Sequence, residues 1–372
     1  MMLSSKQWLV CFSLLTVVLL GLITAVTVIA DPFFHYHAPD TTRFYYSLDN
    51  ERSQNDGIMR HFTYDGLITG TSMTQNFKTS EAEALFGGTF VKLPYAGASY
   101  KELNEGIETA LSYNPSLKTV IRSVDPTDFF THKDTMRTDM GDYPYYLYNN
   151  NPFDDVRYVW NREILFYRSW QMFRRARNGR EPGIDSFDRY SYWMHMYAGK
   201  FGKTGVLQGR ESFSQPTEAY PLTEEEREIV TETIRENVTA ICRAHPDVTF
   251  YCFFPPYSAA WYGVFHERGD LQKRFEAERV AIDLMLEEPN LKLYSFNAVK
   301  DITCNLNNYM DSMHYGEWIN SVMLRCMKDE ICLLTKDNVD AYQEDEKRLY
   351  ETFDYNSLFL QEDLADPPPE LQ

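Results

Sequence analysis

Residues 64–77 read YDGLITGTSMTQNF, and the predicted fold depends on this stretch. Its apolar run, 67–69, breaks at Gly70 into small and polar residues. A buried parallel strand ends at a tight turn in this way, because small residues let the backbone bend. In open α/β sheets ligands bind just outside the carboxyl ends of the strands, so Ser72 lies where a nucleophile would lie. The simpler interpretation, which the stretch favours when taken alone, is that Thr71, Ser72 and Thr74 are ordinary turn and helix-cap residues.

Strand and helix patterns alternate after this turn. The sequence predicts further strands at 90–94, 117–124, 248–254 and 291–296, and helices at 79–85, 100–112, 223–244, 268–287, 316–333 and 339–350. Strands that alternate with helices favour a parallel sheet with crossover connections. The expected fold class is therefore α/β, a three-layer sandwich around a five-stranded parallel sheet.

A long insertion, 127–222, interrupts the alternation after the third strand, and it is expected to cover the carboxyl edge of the sheet. It contains a predicted helix at 156–177 and many aromatic residues. These aromatic side chains either stack on sugar rings or pack the core of the insertion itself. The residues concerned are Tyr143, Tyr145, Tyr146, Tyr148, Tyr158 and Trp160.

An uncharged apolar run, 8–30, lies near the N-terminus. About 20 such residues suffice to cross a bilayer as a helix. Lys6 before the run and Asp31 after it place the short N-terminus in the cytoplasm and the rest of the chain outside, by the positive-inside rule. The alternative is a cleaved signal peptide, although the apolar core of such a peptide is usually shorter. Both interpretations export the chain.

The predicted organisation follows from these segments. It comprises a cytoplasmic N-terminus (1–7), a transmembrane anchor (8–30), an aromatic and irregular stalk (31–63), a catalytic domain (64–352) and a flexible proline-rich tail (353–372).

Composition narrows the classes of function. The formal net charge of −18 argues against nucleic acid as a partner, because binding to phosphate backbones needs Lys and Arg. The six cysteines show neither CxxC spacing nor a His-linked metal pattern, so the sequence predicts no metal site and no cofactor. No disulfide pairing follows from the spacing either.

A second candidate motif lies in residues 305–315, NLNNYMDSMHY. Asp311, three residues before His314, can fix the imidazole tautomer and leave the other ring nitrogen as a base toward a serine hydroxyl. Taken alone, the pair is more simply an exposed histidine in a polar loop. Ser72 follows the first strand and the Asp–His pair follows the fifth, so both can reach one edge of a doubly wound sheet.

This order and spacing resemble the SGNH (GDSL-like) hydrolase superfamily, which has a flavodoxin-like sheet, over about residues 64–333. The resemblance implies that Ser72 is the nucleophile, that His314 is the general base and acid, and that Asp311 orients His314. It also implies that the backbone N–H groups of Ser72 and Gly97 contribute to the oxyanion hole.

The sequence departs from the family at two positions. Thr71 stands where the family usually has Asp, and Asp125 stands where it has an Asn that donates to the oxyanion. An ionised carboxylate donates no hydrogen bond, so another donor is expected from Thr74, from Gln75 or from the insertion. Together with Asp125 and Tyr257, Thr74 and Gln75 are the candidate cleft-lining residues.

The apolar anchor and the export orientation narrow the resemblance. The chain is similar to membrane-anchored SGNH-like proteins that work with membrane-bound O-acyltransferases, such as the DltD-like and alginate acetylation proteins. This implies an acyltransferase or esterase that moves or removes an O-acyl group on a cell-surface polysaccharide or teichoic-acid-like polymer. The alternative is a catalytically impaired glycan-binding or scaffold protein that accompanies a membrane O-acyltransferase. The acyl group, the polymer and the choice between transfer and hydrolysis stay open.

Overall fold

The computed structural model describes residues 4–138, 143–194, 200–216 and 218–364. Within these residues the strands are β1 (Tyr45–Tyr46), β2 (Gly66–Gly70), β3 (Phe90–Pro94), β4 (Thr119–Ser123), β5 (Gly183–Ile184), β6 (Thr249–Phe254), β7 (Leu291–Ser295) and β8 (Leu333–Leu334). The α-helices are α1 (Ser5–Ala30), α2 (Glu51–His61), α3 (Thr79–Phe86), α4 (Tyr100–Tyr113), α5 (Val156–Val159), α6 (Trp170–Arg177), α7 (Lys203–Leu207), α8 (Glu224–Ile234), α9 (Ala240–Ala244), α10 (Ala259–Arg268), α11 (Leu271–Met285), α12 (Lys300–Thr303), α13 (Glu317–Lys328) and α14 (Val339–Thr352). Parts of the predicted N-terminus, insertion and tail (1–3, 139–142, 195–199, 217 and 365–372) lie outside the described residues.

The chain divides into two compact units. The N-terminal unit comprises Met1–Phe62 and Met140–Ser186, and the sheet unit comprises Thr63–Asp139 and Phe187–Gln372. The predicted insertion is therefore shared, since its middle belongs to the N-terminal unit and its two flanks belong to the sheet unit.

The sheet unit confirms the α/β class but corrects the predicted sheet. The strand order is β3-β2-β4-β6-β7-β8, and the first five of these strands are parallel. The sixth strand, β8, is antiparallel to β7, so the sheet is six-stranded and mixed. The sequence does not reveal β8, because two residues are too few to show the alternating pattern of a strand.

The parallel register brings the ends of neighbouring strands to one edge. Gly70 at the end of β2 pairs with Pro94 at the end of β3, and Thr69 pairs with Arg122 near the end of β4. All residues of β2 and β3 are buried, as expected for parallel strands that are covered on both faces. The turns that follow these strands therefore lie close together.

Several predicted helices have different bounds in the structure. The predicted helix at 268–287 corresponds to α11, whereas α10, which precedes it, is not predicted from the sequence. The two helices separate at Gly269, whose φ of +79° lies in the left-handed region. The start of α10 is buried around its whole circumference, so it shows no helical periodicity in the sequence. The helix predicted at 316–333 ends at Lys328, which leaves room for β8.

The N-terminal unit has a core of its own. One cluster of buried apolar residues in it comprises Phe33, Leu147, Tyr158, Val159 and Ile164, with Tyr146 and Tyr148 packed against them. For these three tyrosines the structure supports packing of the segment's own core. The predicted irregular stalk contains α2, capped by the side chain of Asn50, and β1, which pairs with β5. The stalk prediction is therefore wrong about irregularity.

Candidate active site

The turn after β2 places Ser72 at the carboxyl edge of the sheet. Gly70 has a φ of +156°, and the space that a Cβ would need there is filled by the Ser123 hydroxyl of β4. That hydroxyl accepts a hydrogen bond from the Thr71 N–H at 3.3 Å. Ser72 then opens a short 3-10 helix, Ser72–Thr74, for which Thr71 is the N-cap. Glycine is required at residue 70 because two strands approach closely at this point.

The loop that carries Asp311 and His314 is closed by its own hydrogen bonds. An antiparallel bridge joins Tyr309 to Tyr315, and the Met310 N–H donates to the His314 carbonyl oxygen. Asp311 Oδ1 accepts from the backbone N–H groups of Met313 and His314, both at 2.8 Å. This is the local turn that an Asp favours, and it fixes the carboxylate against the imidazole three residues later.

Ser72, His314 and Asp311 form one hydrogen-bonded chain. Asp311 Oδ2 lies 2.8 Å from His314 Nδ1, and Ser72 Oγ lies 2.8 Å from His314 Nε2. Burial acts to raise the pKa of Asp311, but the hydrogen bonds from the His314 ring and from the backbone outweigh it and lower that pKa. The ionised carboxylate accepts the Nδ1 proton, which leaves Nε2 as the acceptor for the serine hydroxyl.

Two backbone N–H groups follow the neighbouring ends of β2 and β3 at this edge of the sheet. Gly97, with a φ of +60°, follows β3, and Ser72 itself opens the 3-10 helix. Among the described residues, neither N–H donates to a protein acceptor. These are the two donors expected from the sequence. Thr74, by contrast, is fully buried and donates its hydroxyl to the Thr71 carbonyl oxygen at 2.9 Å. Its hydroxyl proton is therefore already used within the turn.

Asp125 is buried and supports the turn that carries Ser72. Its carboxylate accepts hydrogen bonds from the hydroxyls of Thr71 (3.1 Å), Thr127 (2.7 Å) and Tyr257, and from the Thr127 N–H (3.1 Å). Asp125 is 5% exposed and Tyr257 is 1% exposed. These placements differ from the expectation that both residues line the cleft, because their polar atoms are satisfied by each other and by the turn. Thr71 and Asp125 thus form a donor–acceptor pair across β2 and β4.

Trp193 is the first of three neighbours of the site that sequence analysis did not identify. Its ring meets the His314 ring edge-on, with centroids 5.8 Å apart. Its backbone N–H donates to Asn76 Oδ1 at 3.2 Å, and Asn76 lies one turn after Ser72. The insertion therefore supplies an apolar wall beside the imidazole. No motif distinguishes this tryptophan from the other aromatic residues of the insertion.

Arg137 is the second neighbour of the site that sequence analysis did not identify. Its guanidinium fills the space beside the Gly97 Cα and donates to the Ala96 carbonyl oxygen at 2.8 Å. The insertion thus brings a permanent positive charge to one of the two backbone donors. The sequence predicts a replacement oxyanion donor from the insertion, and this stays a prediction for Arg137.

Lys92 is the third, and it lies on β3. Its side chain is fully buried, and Nζ donates to the carbonyl oxygens of Gln75, Phe77 and Asp188. Gln75 and Phe77 follow the turn that carries Ser72, whereas Asp188 belongs to the insertion. A buried ammonium is tolerated only when acceptors replace its water, so Lys92 ties these two segments together. Gln75 itself is half-buried.

Comparison with known proteins adds little to this geometry. No family model matches the chain, and no curated protein matches it. A solved structure from Streptococcus pneumonia, provisionally described as a platelet activating factor, is similar with 10% identity and a TM-score of 0.37. The match covers 75% of this chain and 90% of the other. At this TM-score the likeness carries no argument about function.

Proposed function

We propose that this protein is a serine-dependent acyltransferase or esterase of the SGNH type. The observation that carries the proposal is the unbroken hydrogen-bond chain from Ser72 Oγ through the His314 ring to Asp311. Such a chain activates a hydroxyl that is otherwise a weak nucleophile. The three residues come from two distant parts of the sequence, and the resemblance to the SGNH family implies the same three roles for them.

The proposed reaction begins with attack of Ser72 Oγ on an ester carbonyl, while His314 Nε2 takes the hydroxyl proton. The N–H groups of Ser72 and Gly97 donate to the oxyanion, and Asp311 stabilises the imidazolium. The tetrahedral intermediate collapses, and His314 protonates the departing alcohol, which leaves an acyl-enzyme. A polymer hydroxyl or water then gives its proton to His314 and attacks the acyl carbonyl. The second tetrahedral intermediate collapses, its bond to Ser72 Oγ breaks, and His314 returns the proton to Ser72 Oγ, which restores the free enzyme.

The proposed setting is the outer face of a membrane. Helix α1 is long and apolar enough to cross a bilayer, with a mean hydropathy of 2.7 and no buried residue in its most apolar stretch. A signal sequence passes the same test, so an uncleaved anchor with a cytoplasmic N-terminus is part of the proposal. The catalytic domain, residues 64–352, then lies outside the cytoplasm.

The proposed substrate is an O-acylated cell-surface glycan or teichoic-acid-like polymer, and the proposed partner is a membrane-bound O-acyltransferase. Both follow from the resemblance to membrane-anchored SGNH-like proteins. The anchor supports them, because it keeps the site close to polymers made or modified at the membrane.

Active-site labelling of the full chain tests the proposal. A fluorophosphonate probe should label the wild type, because the probe reacts with activated serines, and intact mass should rise by one adduct. Ser72→Ala should abolish labelling without unfolding the protein. Ser112→Ala, at an exposed serine on α4, is the matched control and should keep full labelling. A labelled Ser72→Ala protein, or an unlabelled wild type, would contradict the proposal.

A second candidate is a polymer-binding or scaffold protein with impaired chemistry. The observation that favours it is the state of Asp125, whose carboxylate is fully used as an acceptor and supplies no third oxyanion donor. Polymer binding that is equal in the wild type and in a Ser72→Ala/His314→Ala double variant, with no acyl-enzyme in either, would support this candidate.

A further inference from the structure

The N-terminal unit exposes aromatic side chains on a segment that packs against α1. After α5 the chain forms a π-helix, Glu163–Ser169, which continues directly into α6. Four large aromatic side chains of this segment are about half exposed: Trp160 (47%), Phe166 (55%), Tyr167 (56%) and Trp170 (55%). We call these four residues the aromatic face. Soluble surfaces rarely carry such a cluster unless it contacts a partner.

The segment is fixed to the end of α1 by specific contacts. Asp31, the residue after α1, is fully buried and accepts a hydrogen bond from the Tyr158 hydroxyl at 2.8 Å. One turn earlier, Thr27 Oγ1 donates to the Val159 carbonyl oxygen at 3.1 Å. Trp160 Nε1 then donates to Thr24 Oγ1 at 2.9 Å. The chain from Tyr158 to Trp160 therefore runs back alongside α1.

These contacts give the depth of the aromatic face relative to α1. Thr24 precedes Ala30, the last residue of α1, by six positions. At 1.5 Å per residue, Trp160 lies about 9 Å back along the helix from its end. With 8–30 crossing the bilayer, Trp160 lies below the outer interface at about the 5–10 Å depth to which interfacial helices bury their apolar face. Tryptophan and tyrosine are enriched there, because their rings are apolar and their N–H or O–H groups stay hydrated.

Charge on the same segment fits a lipid surface. Residues 156–177 contain six arginines and one acidic residue, Glu163, although the whole chain has 36 basic and 54 acidic residues. Arg168 is held by Asp49 and stacks over the Phe33 ring. The other five are exposed: Arg157, Arg162, Arg174, Arg175 and Arg177. Basic residues around exposed aromatic rings are the composition of helices that lie in a membrane interface.

We infer that the aromatic face is embedded in the outer leaflet of the membrane, with the arginines on anionic lipid headgroups. The inference rests on the anchor that forms part of the proposed function. Lipid is favoured over a protein partner because Trp160 is hydrogen-bonded to Thr24 of α1, and a bilayer must cover the exposed apolar side chains of that helix. The face would hold the N-terminal unit at the membrane surface in a fixed orientation, which a single helix does not do.

Depth-dependent fluorescence quenching in the full chain tests the inference. The chain has six tryptophans, including Trp8 at the other end of the apolar run. The protein is reconstituted in vesicles of phosphatidylcholine and phosphatidylglycerol that are brominated either near the headgroup or near the chain end. We expect quenching by the headgroup-proximal bromines to fall in Trp160→Phe and in Trp170→Phe. The matched control is Trp318→Phe, at a buried tryptophan of the sheet unit, which should leave this quenching unchanged.

Trp8→Phe separates failure of the inference from failure of the anchor. If quenching falls in Trp8→Phe but not in Trp160→Phe or Trp170→Phe, α1 is inserted and the aromatic face lies outside the lipid, which overturns the inference. If no variant changes the quenching, the anchor is also wrong. The charge argument is tested with Arg174→Gln/Arg175→Gln/Arg177→Gln. This variant should lose the additional quenching that phosphatidylglycerol gives over pure phosphatidylcholine, whereas Arg235→Gln on the sheet unit should retain it.

Discussion

The turns after β2 and β4 lie side by side, and each begins with a polar side chain that the sequence marks as functional. Ser72 in the first turn makes its side-chain hydrogen bond to the His314 ring and keeps its backbone N–H available. Asp125 in the second turn accepts four hydrogen bonds from Thr71, Thr127 and Tyr257. The same edge of the sheet therefore holds a side chain arranged for reaction and one fully used for support. The difference shows that a position at the carboxyl edge predicts proximity to a site, whereas only the partners of a side chain indicate its role.

The comparison predicts the largest effect for His314, the hydrogen-bond partner of Ser72, where a substitution should lower activity. His314→Gln should lower kcat/KM for an ester substrate by about 10⁴-fold or more, since loss of the base disables the whole triad. The free energy of unfolding should change by less than about 1 kcal/mol, because the ring lies in a partly exposed loop whose turn is held by backbone hydrogen bonds. Ester hydrolysis and urea denaturation, measured on the same preparation, check both parts. A variant that loses stability and activity together would remove the contrast with Asp125.

For Asp125, which supports the turn, a substitution should lower the free energy of unfolding. Asp125→Asn restores the amide that the SGNH family has, but it replaces one accepting oxygen by a donor. Either Thr71 or Thr127 and Tyr257 would then face an amide N–H in a buried site. We expect a loss of about 2–4 kcal/mol in the free energy of unfolding, seen as a lower urea midpoint with an unchanged m-value.

Asp128→Asn is the matched control for that variant. Burial, followed by the nearby charge of Asp125, raises the pKa of Asp128 to about 7, so this carboxyl is already largely neutral in mildly acidic buffer. Asparagine at residue 128 should therefore cost little at pH 6. If Asp125→Asn is as stable as the wild type, or gains activity, Asp125 does not support the turn. Residue 125 would then be a position from which an amide can donate to the oxyanion.

Arg137 tests whether the insertion supports the reactive turn. Arg137→Ala removes the guanidinium packed on Gly97 and its hydrogen bond to Ala96. We expect kcat to fall by about 10–100-fold with little change in KM, since the Gly97 N–H would lose its support and the oxyanion would lose a nearby charge. Arg137→Lys should recover part of kcat. A change in thermal midpoint without a change in kcat would show that Arg137 only stabilises the insertion.

The sequence predicts the reactive turn better than its surroundings, for a physical reason. Local turns fix the positions of Ser72 and of the Asp311–His314 pair. Because these turns restrict the residue types at a few neighbouring positions, a short sequence motif is enough to predict them. Trp193 and Arg137 reach the site from an insertion without periodic structure, and their roles depend on contacts across more than 40 residues of chain. The fifth parallel strand, β7, is predictable from its residues LKLYS, whereas two-residue β8 is recognised only by its pairing with β7.

The last prediction concerns two further buried carboxyl groups in the sheet unit. Glu278 on α11 and Glu346 on α14 are both buried within the sheet unit. Tyr342 donates to Glu278 at 2.9 Å, and Tyr262 donates to Glu346 at 3.3 Å. Burial raises the pKa of both glutamates, and the charge of Glu346 raises the pKa of Glu278 further. The folded protein therefore retains protons here that the unfolded chain has released.

The sign of the pH dependence follows from this retention. Between about pH 5 and pH 8 the native state binds more protons than the unfolded state, at the glutamate pair and at Asp128, so the free energy of unfolding should fall as pH rises. Asp311 has a lowered pKa and acts in the opposite sense only at acidic pH. Urea denaturation across this range should show a decline of a few kcal/mol, to order of magnitude, and Glu346→Gln should flatten it because the amide carries no charge at any pH. Asp283→Asn, at an exposed carboxylate of α11, should leave the slope unchanged. A slope that persists unchanged in Glu346→Gln would show that the glutamate pair does not cause the pH dependence.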